Sequence, residues 1–150
     1  MTTFQPPNNA GLINLETSRL TLRVILAAAY LAAGVLHLAY PAPFLGITPG
    51  WAPWPEAVIA ATGVAEIVGA VALGAVPRLR RAAAVGLALY AVCVYPANIK
   101  HALDAVAAGG AGAWWPYHGP RLAFQPVIVW WALFAGGVTD WPFGRRVRRG

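Results

Sequence analysis

Four apolar runs of roughly 20 residues each, at about 21–40, 56–76, 82–103 and 120–139, set what this chain can become. A helix rises 1.5 Å per residue, so about 20 residues cross the hydrocarbon core of a bilayer. A soluble fold would leave far too much of that surface in water. Only 11% of the 150 residues are charged, against about 25% in an ordinary soluble domain. The runs predict an all-α, integral membrane, antiparallel four-helix bundle over residues 19–140. Such a chain is a multi-pass protein of the cell (inner or plasma) membrane, with the lipid bilayer as its first partner.

The net charge of +6 is placed, not scattered. Arg19 and Arg23 open the first run, Arg78, Arg80 and Arg81 lie between the second and third, and Arg145, Arg146, Arg148 and Arg149 follow the fourth. With four crossings these all fall on one side, while segments 41–55 and 104–119 contain no Lys or Arg. The positive-inside rule then puts both termini in the cytoplasm. No basic stripe interleaves with aromatics, so nucleic acid is not a partner. Residues 1–18 are polar with no apolar period and are expected as a flexible cytoplasmic tail. They lack the early basic residue of a signal peptide. Residues 141–150 are expected as a basic cytoplasmic tail.

The connections carry their own signals. Pro41 to Pro55 holds five prolines and two glycines, which forbids a continuous helix. It is expected to lie across the outer end of the bundle. Trp51, Trp54, Trp114, Trp115 and Tyr117 suit the membrane–water boundary. The run from Asp104 to Gly119 is expected as a loop, with His118 in it. Gly63, Gly69 and Gly74 on the second run, and Ala29, Ala33 and Gly34 on the first, let helices approach closely.

Against this background the polar residues inside the runs are costly. Counted at 1.5 Å per residue, His37 lies roughly 5 Å below the outer end of its span, Asn98 roughly 8 Å, and Gln125 roughly 7 Å. Arg121 is at the boundary and Glu66 roughly 10–15 Å down. A carboxylate at the bilayer centre costs about 2.5–3.5 kcal/mol on insertion scales, so Glu66 must be protonated or face inward and pair. Asn98 and Gln125 match its depth best. Arg121 and Gln125, four apart, share a face. Pro96 removes one helical donor, frees the carbonyl of Val92 and predicts a bend. His37, Glu66, Asn98, Arg121 and Gln125 are thus expected to form a polar pocket in the outer half, with Tyr95 and Trp130 as aromatic walls. The alternative is that these residues only hold the helices together.

Other chemistries have little to work with. One cysteine, Cys93, makes neither an internal disulfide nor a redox pair and is expected to be packed. Ser18 is the lone serine, which excludes a serine triad. No three ligands show metal spacing. His37 and His101 are the single pair that could hold a haem.

Several of these positions also form a pattern. Gly34-x-x-His37 with Pro41 and Phe44, Gly63-Val64-Ala65-Glu66-Ile67, Tyr95-Pro96-Ala97-Asn98-Ile99, and Arg121-x-x-x-Gln125 with Trp130 resemble the DoxX-like family of four-helix membrane proteins. The resemblance covers about Leu31 to Trp131. It implies a membrane subunit of a quinone-linked or thiol- and oxidative-stress redox system, with partner subunits; the pocket's donors and apolar walls suit a quinone, and a lone His37/His101 pair favours haem less. The chain would then be part of an oxidoreductase and not catalytic alone. It also implies His37, Glu66, Asn98, Arg121 and Gln125 as the pocket. A non-catalytic anchor of a larger complex and a small lipid- or solute-handling protein stand as alternatives.

Overall fold

A computed structural model describes the backbone of residues 9–109 and 111–142, and the side chains of 15–109 and 116–142. The described residues are helical: α1 (Asn9–Ala39), α2 (Ala42–Ile47), α3 (Pro55–Ala75), a 3₁₀ turn (Pro77–Leu79), α4 (Arg80–Gly109) and α5 (Ala111–Ala135). Three segments are long and apolar enough to cross a membrane: Leu15–Ala39, Pro55–Ala75 and Pro77–Gly109. The tails 1–8 and 143–150, with Arg145, Arg146, Arg148 and Arg149, lie outside the described residues, as do the side chains of Trp114 and Trp115.

The molecule is built inside out relative to a soluble domain. Leu73, Phe134 and the small residues Ala84, Ala91, Ala132 and Ala135 fill the centre, while Ile25, Val35, Val68, Leu89 and Val92 face outward. An apolar exterior and a small-residue interior are what helices able to cross a membrane require. Lipid offers apolar side chains no penalty, so helices associate through close packing instead. α1 packs mainly on α3 and α4 mainly on α5, and α3–α4 and α1–α5 contacts join the pairs.

The α1–α3 crossing is set by two glycines. A Cβ on Gly34 would stand 2.6 Å from the carbonyl oxygen of Gly63, and one on Gly63 would stand 3.0 Å from that of Gly34. Gly63 also faces His37, and Gly74 faces Ala27, so the two helices run antiparallel. The close approach leaves His37 and Glu66 on opposite sides of the glycine pair but near enough for their side chains to meet, with Nδ1 2.8 Å from Oε2.

Helix boundaries depart from the expected ones. α1 starts at Asn9, so the second half of the expected tail is helical. Arg19 ties it down, bonding Glu16 within the helix (3.1 Å) and the Thr139 carbonyl across it (3.2 Å). α4 runs on to Gly109 and α5 begins at Ala111, so most of the expected 104–119 loop is helix and His118 is a helical residue. The alanine-rich stretch and the Lys100–Asp104 pair, four apart at 2.6 Å, favour the extension. α5 tolerates Pro116, Pro120 and Pro126, and α4 continues through Pro96. At Pro126 a neighbouring side chain supplies a donor to the freed carbonyl. Pro126 cannot bond the carbonyl of Leu122, and the Tyr95 hydroxyl donates to it instead (3.5 Å).

Candidate functional site

A cavity of about 540 Å³ opens between the helices at the end where His37 and Asn98 lie. Its wall is mostly apolar, with Tyr30, Phe44, Ile59, Phe124, Ile128 and Trp131 among the lining residues. α2 closes one side. Its Phe44 ring stacks on His37 at 3.8 Å between centroids, and Ile47 and Thr48 complete that side. The expected flat loop is therefore in part a short helix that roofs the cavity.

Two polar groups interrupt this apolar wall. The first joins α1, α3 and α4. Glu66 is 4% exposed. The Tyr90 hydroxyl donates to its Oε1 (2.8 Å), and His37 Nδ1 approaches its Oε2 at 2.8 Å. The His37 ring N–H is aligned with the carbonyl of Ala33, 2.9 Å away. Oε2 therefore has a positive neighbour when His37 is protonated but no donor aimed at it, and it is a buried oxygen without a hydrogen bond. Glu66 also lines the cavity, so this under-bonded carboxyl belongs to its wall.

The second group joins α4 to α5. Asn98 Nδ2 donates to Gln125 Oε1 (3.1 Å), Arg121 Nη2 donates to Asn98 Oδ1 (2.7 Å), and Gln125 Nε2 donates to the carbonyl of Ala91 (2.5 Å). Arg121 Nη1 donates to His101 Nδ1 (2.9 Å), which makes that ring nitrogen the acceptor. Asn98, Arg121 and Gln125 line the cavity.

The structure thus gathers His37, Glu66, Asn98, Arg121 and Gln125 around one space, but with a different pairing from that expected by depth. Glu66 pairs with His37 and Tyr90, not with Asn98 or Gln125. The Gly34–Gly63 approach puts His37 closer to it than any residue of α5. Tyr95 is not part of the wall, since its hydroxyl serves Leu122. Trp130 is not either: it stacks on Phe134 at 5.3 Å and donates to the carbonyl of Trp141 (2.9 Å). The aromatic wall comes from the neighbouring Trp131, whose Nε1 donates to the Leu22 carbonyl (2.9 Å), and from Tyr90. Counting back in fours from Asn98 through Val94 reaches Tyr90, so helical spacing alone carried that signal. Cys93, expected to be packed, is exposed and sits on the cavity lip. In helices apolar enough to cross a membrane, apolar sequence neighbours mark the outer surface as readily as the core. His101 faces Arg121 and the His118 ring (4.7 Å) rather than the cavity with His37.

No curated protein and no solved structure matches this chain. One protein family, described as a domain of unknown function (DUF8561), matches residues 26–136. That stretch holds the whole cavity wall and most of the chain, and the chain belongs to that family.

Proposed function

We propose that this DUF8561 member is a four-helix integral membrane protein that holds a quinone, or a similar lipophilic molecule with a polar head, as the membrane subunit of a redox system. α5 is the fourth crossing. The arginines at 19, 23, 78, 80 and 81 place their end of the bundle in the cytoplasm with both termini, and the cavity belongs to the outer half. The chain is then a multi-pass protein of the cell membrane. The resemblance to the DoxX-like family supports the redox assignment, and the partner subunits would supply the electrons.

One observation carries this reading: an apolar cavity with separate polar groups on two of its walls. Ligand sites for molecules of this size occupy about 300–1,000 Å³ and combine an apolar lining with a few placed polar groups. A quinone ring would lie against Phe124, Ile128 and Trp131. Its carbonyl oxygens need donors, which Arg121 and a protonated Glu66 offer. The His37 ring, with Nδ1 2.8 Å from Glu66 Oε2, stands beside the same polar point of the wall.

A non-catalytic anchor is the rival, and it rests on the α4–α5 network. Asn98 and Gln125 are bonded to each other and to neighbours as glue residues would be. Solvent extraction of the purified protein separates the two readings. A stoichiometric quinone identified by absorbance and mass, and lost in Glu66→Gln without loss of fold, supports the site. An extract free of quinone and of any other lipophilic molecule beyond bulk lipid, with Glu66→Gln merely less stable, supports the anchor.

A further inference from the structure

The other end of the molecule has a second cavity, of about 320 Å³, built from opposite chemistry. It lies between the start of α1, the α3–α4 turn and the end of α5. Five arginines line it, Arg19, Arg23, Arg78, Arg80 and Arg81, with Glu16 the lone acidic side chain among the lining residues. Orientation signals need only be near the membrane surface, yet two of these arginines are buried. Arg19 is 9% exposed and Arg23 8%.

Their fixed partners leave capacity unused. Arg19 bonds Glu16, the Thr139 carbonyl and the Asp140 carboxylate, and packs over the Phe134 ring at 5.4 Å. Its Nε has no hydrogen-bond partner, and neither has the buried Nε of Arg80. Arg23 is held by its Nε, which donates to the carbonyl of Ala135 (3.0 Å). A buried donor left unmade is costly, and guanidinium groups match the oxygens of a phosphate in charge and geometry. The wall is closely packed at Gly136, where a Cβ would run into the Ala84 side chain and stand 2.9 Å from the carbonyl of Arg80.

We propose that this cavity binds a phosphate group, carried by an anionic lipid headgroup or present as free phosphate. Basic recesses between membrane helices are suited to anionic headgroups, and these arginines sit at the helix ends where headgroups lie. The site is independent of the quinone cavity and stands whether or not that cavity is occupied.

The test is native mass spectrometry of the full chain in neutral detergent, titrated with dioctanoyl-phosphatidylglycerol, dioctanoyl-phosphatidylcholine and inorganic phosphate. The test variant is the double substitution Arg78→Gln, Arg81→Gln. Both side chains are exposed, so the variant keeps the fold, which a melting curve checks. Phosphatidylglycerol should bind with one molecule per chain and in clear preference to phosphatidylcholine. Each basic side chain near an anionic lipid is worth roughly a factor of five, so the double variant should bind about 30-fold more weakly. Displacement by millimolar inorganic phosphate would identify free phosphate as a sufficient ligand, and resistance to it would identify the lipid. Equal retention of the two lipids with no phosphate binding, or unchanged binding by the variant, overturns the proposal.

Discussion

Gly34→Ala is the sharpest probe of how the candidate site is assembled. The added methyl would stand 2.6 Å from the carbonyl oxygen of Gly63, 2.8 Å from Ile67 Cγ1 and 3.1 Å from Glu66 Cβ. An ordinary contact begins at about 3.4 Å, so α1 and α3 must separate by about 0.8 Å, and the nearest obstacle is backbone that cannot rotate away. Overpacking of this kind costs about 1–3 kcal/mol. The same shift stretches the 2.8 Å His37–Glu66 contact towards about 3.6 Å and loosens the pairing. Gly86→Ala is the matched control, because a Cβ there meets nothing within 4 Å. It should stabilise by about 0.5–1 kcal/mol through helix propensity alone. In detergent, thermal unfolding of Gly34→Ala should fall by roughly 2–12 °C, and that of Gly86→Ala should hold or rise. Ligand retention should drop only in the former. Equal melting temperatures for the two variants would refute the claim that the Gly34–Gly63 crossing sets the site.

Tyr90→Phe removes the donor to Glu66 Oε1 and leaves both oxygens of that buried carboxyl without a directed donor. A loss of about 1–3 kcal/mol in stability is expected, with weaker ligand retention, read by melting and extraction. Tyr95→Phe should behave differently. It gives up one long bond to Leu122, costs about 0.5–1.5 kcal/mol and leaves ligand content unchanged, and a Tyr95→Phe protein that loses its ligand would return Tyr95 to the site. Cys93 is exposed on the cavity lip, so a membrane-permeant maleimide should label it, faster after ligand extraction than before. Labelling that is blocked in both states would place Cys93 in the packed interior instead.

Some of this molecule is written in its sequence because it follows from solvent and spacing. Apolar runs near 20 residues can only be helices once lipid is the surroundings, since no other segment satisfies its own backbone there. His37, Glu66, Asn98, Arg121 and Gln125 declared themselves because polar side chains in such runs are too costly to be incidental. Helix ends were less legible. Polar or proline-bearing sequence at residues 9–18 and 111–120 lacks an apolar period, yet contacts such as Arg19 with Thr139 hold one stretch, and the helix runs through Pro116 and Pro120 in the other.

What the fold alone decided is which polar groups meet. Depth along each helix, read from the sequence, matched Glu66 with Asn98 and Gln125. Rotation about each helix axis and the closeness of each crossing are absent from a depth count, and both depend on contacts between distant segments. Two glycines in van der Waals contact gave Glu66 to His37, the rotation of α4 supplied Tyr90, and Tyr95 turned away to serve a carbonyl that Pro126 had freed. The basic recess is likewise a tertiary product. Its arginines come from two distant stretches of the chain, 19–23 and 78–81, that each carry an orientation signal, and only the meeting of α1, the α3–α4 turn and the end of α5 buries two of them around one space.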